Sequence, residues 1–403
     1  MKPTKNDLPI LMLCMGTLIF PFILKERILQ QWALVNFPVW LTLCYAYQAK
    51  IIQLSSPKTG TWILSPYLLI GLLLLFLVPG NGWSLKRKTL LIMIYLLPAV
   101  FLCCDITNPK TANRFSTIWH ICLRTVCLFM CLCWCIDALA GKPVLQSWLT
   151  DLYAHNGYHY YLLVEHRFIS YFGHPLASAG IFLSLLVWTT INSNSGAKPD
   201  KLYLMDTAIS LFGIFVCASK AALMLAAILL IYNCIQRRSI SEILILVLLL
   251  TVFHLTGISS VLFSRIEEGA AAGDLSTGRA EAAAGLASSS ETSIRLFRGN
   301  VFEYDNTWMI AALELPFLGW AFLCGIAFAI LQYLMYFVYP GLRVLLSGNI
   351  TLLACMLVLM AYANANNGIH SFNDDLLIYS LNLWLILQSA PKENILKKLY
   401  EKN

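Results

Sequence analysis

The stretch ILILVLLLTVFHLTGISSVLF, residues 243–263, runs directly into SRIEEGAAAGDLSTGRAEAAAG, residues 264–285. The first has the length and apolar character of a helix that crosses a bilayer, whereas the second is rich in Ala, Gly, Arg and Glu and cannot. A further apolar region opens at Trp308, so residues 263–308 read as a long polar loop joining two membrane spans. A loop of that length between spans is either a functional cap or a segment without structure of its own. Function concentrates in loops held by a rigid scaffold, which favours the cap. The loop carries Arg265, Arg279, Arg295 and Arg298 beside Glu267, Glu268, Asp274, Glu281, Glu291, Glu303 and Asp305.

The same alternation of apolar blocks and short polar joints fills the rest of the chain. Of 403 residues, 59% are hydrophobic and only 12% charged, about half the charged fraction of an ordinary soluble domain. The pattern predicts an all-α polytopic membrane protein of about 11–12 transmembrane helices with one large extracytoplasmic loop. The expected spans are Leu8–Leu24, Trp32–Tyr47, Trp62–Val78, Leu90–Cys104, Ile118–Leu139, Pro175–Ile191, Tyr203–Ala218, Ala221–Ile235, Ile243–Phe263, a region Trp308–Val338 divided by Pro316, Ile350–Tyr362 and Leu376–Leu387. Leu8–Leu24 reads as a retained first span or signal anchor, since no cleavage site of small residues follows it. Three regions result: N-terminal spans over 1–139, a central region over 140–325 that includes the outer loop 264–307, and C-terminal spans with a basic tail over 326–403.

Lys198, Lys201, Arg237, Arg238, Arg343 and the tail residues Lys392, Lys397, Lys398 and Lys402 recur on one face, which the positive-inside rule makes cytoplasmic. The polar loop, the 139–174 connection, the Ser219-Lys220 turn and the loop Asn364–Asp375 then share the opposite face. Lys86-Arg87-Lys88 also falls there, against the rule. The formal charge of +7 is spread over connecting loops, which suits contact with membrane lipids and not nucleic-acid binding. All thirteen cysteines lie in or beside apolar stretches and read as small hydrophobes. His120, Arg124, Cys127, Cys131 and Cys135 share one helical stripe, read as a packing face with a polar end in preference to a metal or redox site. No P-loop, dinucleotide fingerprint, zinc motif or internal repeat is present in the sequence.

Arg279 follows Ser276-Thr277-Gly278 where a helix start is expected, with Glu281 in the first turn. Backbone N–H groups at such a start and a forked guanidinium form a receptor for phosphate or pyrophosphate; the alternative is a capping turn with a solvated Arg. Lys220 lies between two apolar spans, where it either reaches lipid headgroups or binds an anion in a cavity. Asp305, ahead of Asn306-Thr307-Trp308, is a helix N-cap or a general base. Glu314 lies inside an apolar stretch and must be paired or face a cavity. His174-Pro175, with His166 and Arg167 upstream, opens a span. His370, Asp374 and Asp375 suit sugar hydroxyls or plain solvation, and Phe302, Tyr304 and Trp308 suit sugar stacking or an interfacial belt.

Four short motifs in order resemble the O-antigen ligase and polymerase superfamily, which includes the Wzy-type polymerases. They are Phe172-Gly173-His174-Pro175-Leu176-Ala177, Ala218-Ser219-Lys220-Ala221, Ser276-Thr277-Gly278-Arg279, and Asp305-Asn306-Thr307-Trp308 with Glu314 and Gly319. The resemblance covers about residues 165 to 325. It implies a GT-C-like membrane glycosyltransferase of the bacterial cytoplasmic membrane, multi-pass, with its active site facing the periplasm or cell exterior. Its substrate would be a glycan linked to undecaprenyl pyrophosphate, for O-antigen or capsule biosynthesis, and its partners a chain-length regulator and a flippase. No metal or cofactor would be required.

Carried over residue by residue, Arg279 and Lys220 would stabilise the departing pyrophosphate and Asp305 would act as base. Arg265, His174, Arg167, Glu314 and His370 would bind substrate. The family usually has Arg at the position of Lys220 and His at that of Asp305. A Lys neutralises without clamping. A carboxylate still accepts a hydroxyl proton, with inversion at the anomeric carbon, which favours polymerase over ligase. A transporter of a lipid-linked glycan is the reading from another class; it would show repeated halves and paired broken helices, whereas the prolines here are scattered and the polar residues gather at one face.

Overall fold

A computed structural model describes residues 7–20, 36–55, 61–77, 89, 92–141, 167–172, 174–194, 202–238, 240–255, 260–271, 294–295, 303–304, 327–328, 330–365 and 375–390. The chain is an all-α membrane protein. Among the described residues four helices are long and apolar enough to cross a membrane: Pro109–Leu139, Pro175–Asn194, Lys220–Arg237 and Ile330–Ser347.

The elements run in the order α1 Leu8–Cys14, continued by a π-turn, then α2 Phe37–Gln48, β1 Ile52–Leu54, α3 Thr61–Leu77, α4 Pro98–Leu102, β2 Cys104–Ile106, α5 Pro109–Leu139, α6 Pro175–Asn194 and α7 Tyr203–Val216. They continue as α8 Lys220–Arg237, α9 Ser241–Leu255, α10 Ser260–Ala271, β3 Ile294–Arg295, β4 Glu303–Tyr304, α11 Tyr339–Ser347, α12 Ile350–Ala365 and α13 Asp375–Ser389.

Helix α6 is the axis, with every residue but Gly180 buried from Ala177 through Ile191. Its small residues let neighbours come close: a Cβ on Gly180 would stand 3.0 Å from the Tyr362 ring of α12. α5 lies antiparallel to it, with His120 against Thr189 and the Cys127 thiol against the Ile181 carbonyl. α8 runs parallel to α6, since Asn233 donates to Thr190 Oγ1 at 2.9 Å far along both helices. α13 is parallel too, its Asn382 meeting Ser184. The first turns of α6, α8 and α13 therefore lie at one end of the bundle, here called the His174 end. The last turns of α6 and α8 lie at the other, the Asn194 end.

Two groups of buried polar side chains lock this arrangement. Asn382 Oδ1 accepts the indole N–H of Trp119 at 2.9 Å and of Trp188 at 2.8 Å, while its Nδ2 donates to Ser184 Oγ and the Ile378 carbonyl. All three helices α5, α6 and α13 are tied at one amide. Nearer the Asn194 end, Arg124 makes two hydrogen bonds to the fully buried Asp206 of α7, at 2.6 and 2.7 Å, and His120 Nε2 lies 3.1 Å from the same carboxylate.

Several boundaries differ from the sequence reading. α5 starts at Pro109 and not Ile118, because Asn108 caps it by accepting from the Lys110 N–H at 2.9 Å and its polar first turns find partners. Arg114 there pairs with Asp7. With 31 residues, α5 extends about 46 Å, beyond the hydrocarbon layer. The expected span Ile243–Phe263 is two described helices, α9 and α10, and α10 carries helix well into the segment expected to be loop. Arg343, counted among loop residues, lies inside α11 and donates to Asp105 at 3.0 Å. Ile52–Leu54 and Cys104–Ile106 form an antiparallel pair where only helices and loops were expected.

Replacing Asn382 by Leu removes the acceptor of two buried indole N–H groups. At roughly 1–3 kcal/mol for each orphaned donor, the variant loses at least 2 kcal/mol of stability. Unfolding of the purified protein in detergent micelles reads this; a midpoint equal to that of the wild type contradicts the role of the amide.

Candidate functional site

Two segments that are distant in sequence meet at the His174 end. α7 closes at Val216, Cys217 caps it, and Ala218 turns left-handed at φ 49°. Glycine ordinarily takes that place after a helix, so a side chain there is strained. Ser219 follows at once as the N-cap of α8, its Oγ accepting the Ala222 N–H, which sets Lys220 as the first residue of the new helix. Against this turn lies the irregular segment Arg167–Phe172. The Phe168 N–H donates to the Val216 carbonyl at 3.0 Å, and the buried Arg167 Nε donates to the Cys217 carbonyl at 3.0 Å. Arg167 thereby satisfies a carbonyl at the C-terminus of α7, where the helix dipole favours a cation.

The same segment leads into α6. Ser170 is the second left-handed residue here, at φ 50°, and its hydroxyl lies 2.6 Å from that of Ser178. His174 Nδ1 accepts the Leu176 N–H at 3.1 Å, capping the first turn of α6. Nδ1 is thus used as an acceptor, so the neutral ring carries its proton on Nε2. Burial, with the Arg167 guanidinium adding to it, lowers the His174 pKa from 6.5 to about 4, and the ring is neutral at neutral pH.

The electrostatics of this end follow from the direction of the helices. α6 and α8 are packed neighbours that start level with one another, so their partial positive ends lie side by side. Lys220 sits on the first turn of α8, and Arg167 is bonded to the Cys217 carbonyl three residues before it. A left-handed Ala and a left-handed Ser, both buried, mark the same spot. Strained backbone persists only where its surroundings over-determine it, and such positions gather at functional sites. The arrangement concentrates positive charge at this end.

Arg265 lies in α10, whose Leu262 packs on Phe215, Ala218 and Phe253, so this helix rests over the Lys220 turn. Asp305 directly follows β4, which pairs antiparallel with Ile294–Arg295. Arg279, Asp305, Glu314 and His370 lie outside the described residues. The segment bearing His370 joins the end of α12 to the start of α13, both at the His174 end.

Sequence reading missed Asp206 and Asn382. A lone carboxylate in the apolar run Tyr203–Val216 and an amide in the middle of the apolar run Asp375–Ser389 were the available signals, since buried polar groups in a membrane protein need partners. The cysteine stripe on α5 packs: Cys127 and Cys131 approach the backbone carbonyls of Ile181 and Ile209.

No protein-family model, curated protein or solved structure matches the chain.

Protonating His174 costs more in the folded protein than in the unfolded chain, because its folded pKa is lowered from 6.5 to about 4. Its contribution is intact above pH 6.5 and is lost as pH falls toward 4. The melting temperature of the wild type is expected to drop across this window more steeply than that of His174→Asn, which keeps a capping side chain without a titrating ring. Parallel curves for the two proteins would contradict the assignment.

Proposed function

We propose that the chain is a membrane polysaccharide polymerase, an inverting glycosyltransferase that joins undecaprenyl-pyrophosphate-linked oligosaccharide repeat units at the outer face of the bacterial cytoplasmic membrane. The observation that carries the reading is the level start of α6 and α8 with Arg167 and Lys220 beside them. Positive charge of that kind, fixed before the substrate arrives, fits a leaving group that gains negative charge as its bond to sugar breaks. The cations carry most of it: a unit charge 4 Å from a phosphate oxygen contributes about 4 kcal/mol near a protein surface. A helix N-terminus typically contributes about 0.3–1 kcal/mol.

In this reaction the acceptor hydroxyl of one lipid-linked repeat unit attacks the anomeric carbon of another. The C–O bond to the pyrophosphate breaks, its electron pair leaves with the pyrophosphate, and the hydroxyl proton passes to the Asp305 carboxylate. Attack from the face opposite the leaving group inverts the configuration. Arg279 and Lys220 neutralise the departing pyrophosphate, and Arg167 and Arg265 add charge at its rim. The neutral His174 offers its Nε2 proton to a phosphate or sugar oxygen. Glu314 and His370 hold sugar hydroxyls. The orientation rests on the positive-inside rule applied to Lys198, Lys201, Arg237, Arg238 and the Lys residues near the C-terminus of the sequence.

Chain length of the cell-surface polysaccharide, resolved on gels from cells that depend on this protein, tests the assignment. Arg279→Ala and Lys220→Gln are expected to abolish long chains at unchanged protein level, while Arg279→Lys and Lys220→Arg retain part of them. Asp305→Asn, which caps a helix nearly as well as Asp, is expected to fail if the residue is the base. Normal long chains in both Arg279→Ala and Lys220→Gln would overturn the reading.

A further inference from the structure

A cavity of about 580 Å³ opens at the Asn194 end, between the first turns of α5, the last of α6 and the start of α12. Its size is that of a small-molecule site, and it lies at the opposite end of the bundle from Lys220. Among the described residues its walls mix polar and apolar side chains. Ser116, Thr117 and Thr351 supply hydroxyls, and Asn113, Asn192 and Asn194 supply amides. Among the described residues no carboxylate lines it, so a divalent cation would find none of the hard anionic oxygens it needs. Its guanidinium, that of Arg124, is already held twice by Asp206, at 2.6 and 2.7 Å. An anion would have to compete with a buried carboxylate for it.

We propose that this cavity is a second binding site, for an uncharged polyhydroxylated group such as a sugar ring, carried free or as the headgroup of a glycolipid. Sugar hydroxyls both donate and accept, as do the hydroxyls and amides of the wall. Ile121 and Leu352 give the C–H face of a ring an apolar surface. The wall is also oriented in advance. His120 Nε2 faces Asp206 at 3.1 Å, which leaves Nδ1 to accept from the Asn192 amide at 2.7 Å. The ion pair beneath the floor thus fixes the rotamer of a lining amide, and a group held before binding loses less freedom on binding. The cavity mouth lies at a bundle end, where the headgroups of surrounding lipid and water-borne solutes both have access.

The test uses the full chain in nanodiscs. Saturation-transfer NMR with glucose, galactose and N-acetylglucosamine probes the free source; native mass spectrometry after adding monoglucosyl diacylglycerol, against phosphatidylglycerol, probes the lipid source. At least one sugar or the glycolipid is expected to bind, and whichever arm responds identifies the source. Thr117→Trp and Asn113→Trp, both at exposed rim positions, are expected to weaken that binding about tenfold or more without lowering the melting temperature. Lys220→Gln is expected to leave it unchanged, which separates this site from the His174 end. Binding that survives both Trp variants, binding lost in Lys220→Gln, or no binding in either arm overturns the proposal.

Discussion

Two indole N–H groups converge on one amide oxygen at Asn382, and the rest of the bundle depends on that meeting. Hydrocarbon offers no hydrogen bonds, so Trp119, Trp188 and Asn382 must satisfy one another or remain unsatisfied. Apolar faces alone would let α5, α6 and α13 slide along their axes at little cost, because lipid is as apolar as a leucine face. The shared amide fixes their height. Asn233 with Thr190 and Asn194 fixes α8 in the same way, and Arg124 with Asp206 fixes α7 against α5.

Fixed heights have an electrostatic consequence. Parallel helices held level present their N-termini together, and α6 and α8 do so at the end where Arg167, His174 and Lys220 gather. The tight joint through Ala218 and Ser219 is what brings α8 round beside α6 within so few residues. A glycine at 218 would relax the backbone and loosen the placement of Lys220. The candidate site is thus a product of the buried polar contacts several turns below it, and the two cannot be varied independently.

Much of this was legible in the sequence and some was not, for physical reasons. The apolar runs of α6, α8 and α13 were plain because each is flanked by charge or proline, and that of α12 because Gly and Asn flank it. The start of α5 was hidden: Pro109 to Thr117 is polar by composition, and only the Asn108 cap, the Asp7 partner of Arg114 and the Ser389 contact of Ser116 reveal why it is helical. Arg343 was read as a loop cation since its partner Asp105 is far away in sequence. The motifs carrying His174 and Lys220 were found separately; that Arg167 and Phe168 hydrogen-bond the last carbonyls of α7, joining the motifs, is a tertiary fact with no local signal. Asp206 and Asn382 were visible as single polar letters in apolar runs, but composition does not tell a satisfied polar core from an idle one.

We propose that the His174 end handles a pyrophosphate leaving group in a reaction that extends a glycan. The most direct measurement places the purified protein in liposomes with a single undecaprenyl-pyrophosphate-linked repeat unit and resolves the products by gel. A ladder of lengths from that one substrate, with release of undecaprenyl pyrophosphate, is the expected result. Absence of any transfer from a verified native repeat unit, or transfer only when a different acceptor such as lipid A core is supplied, would contradict it.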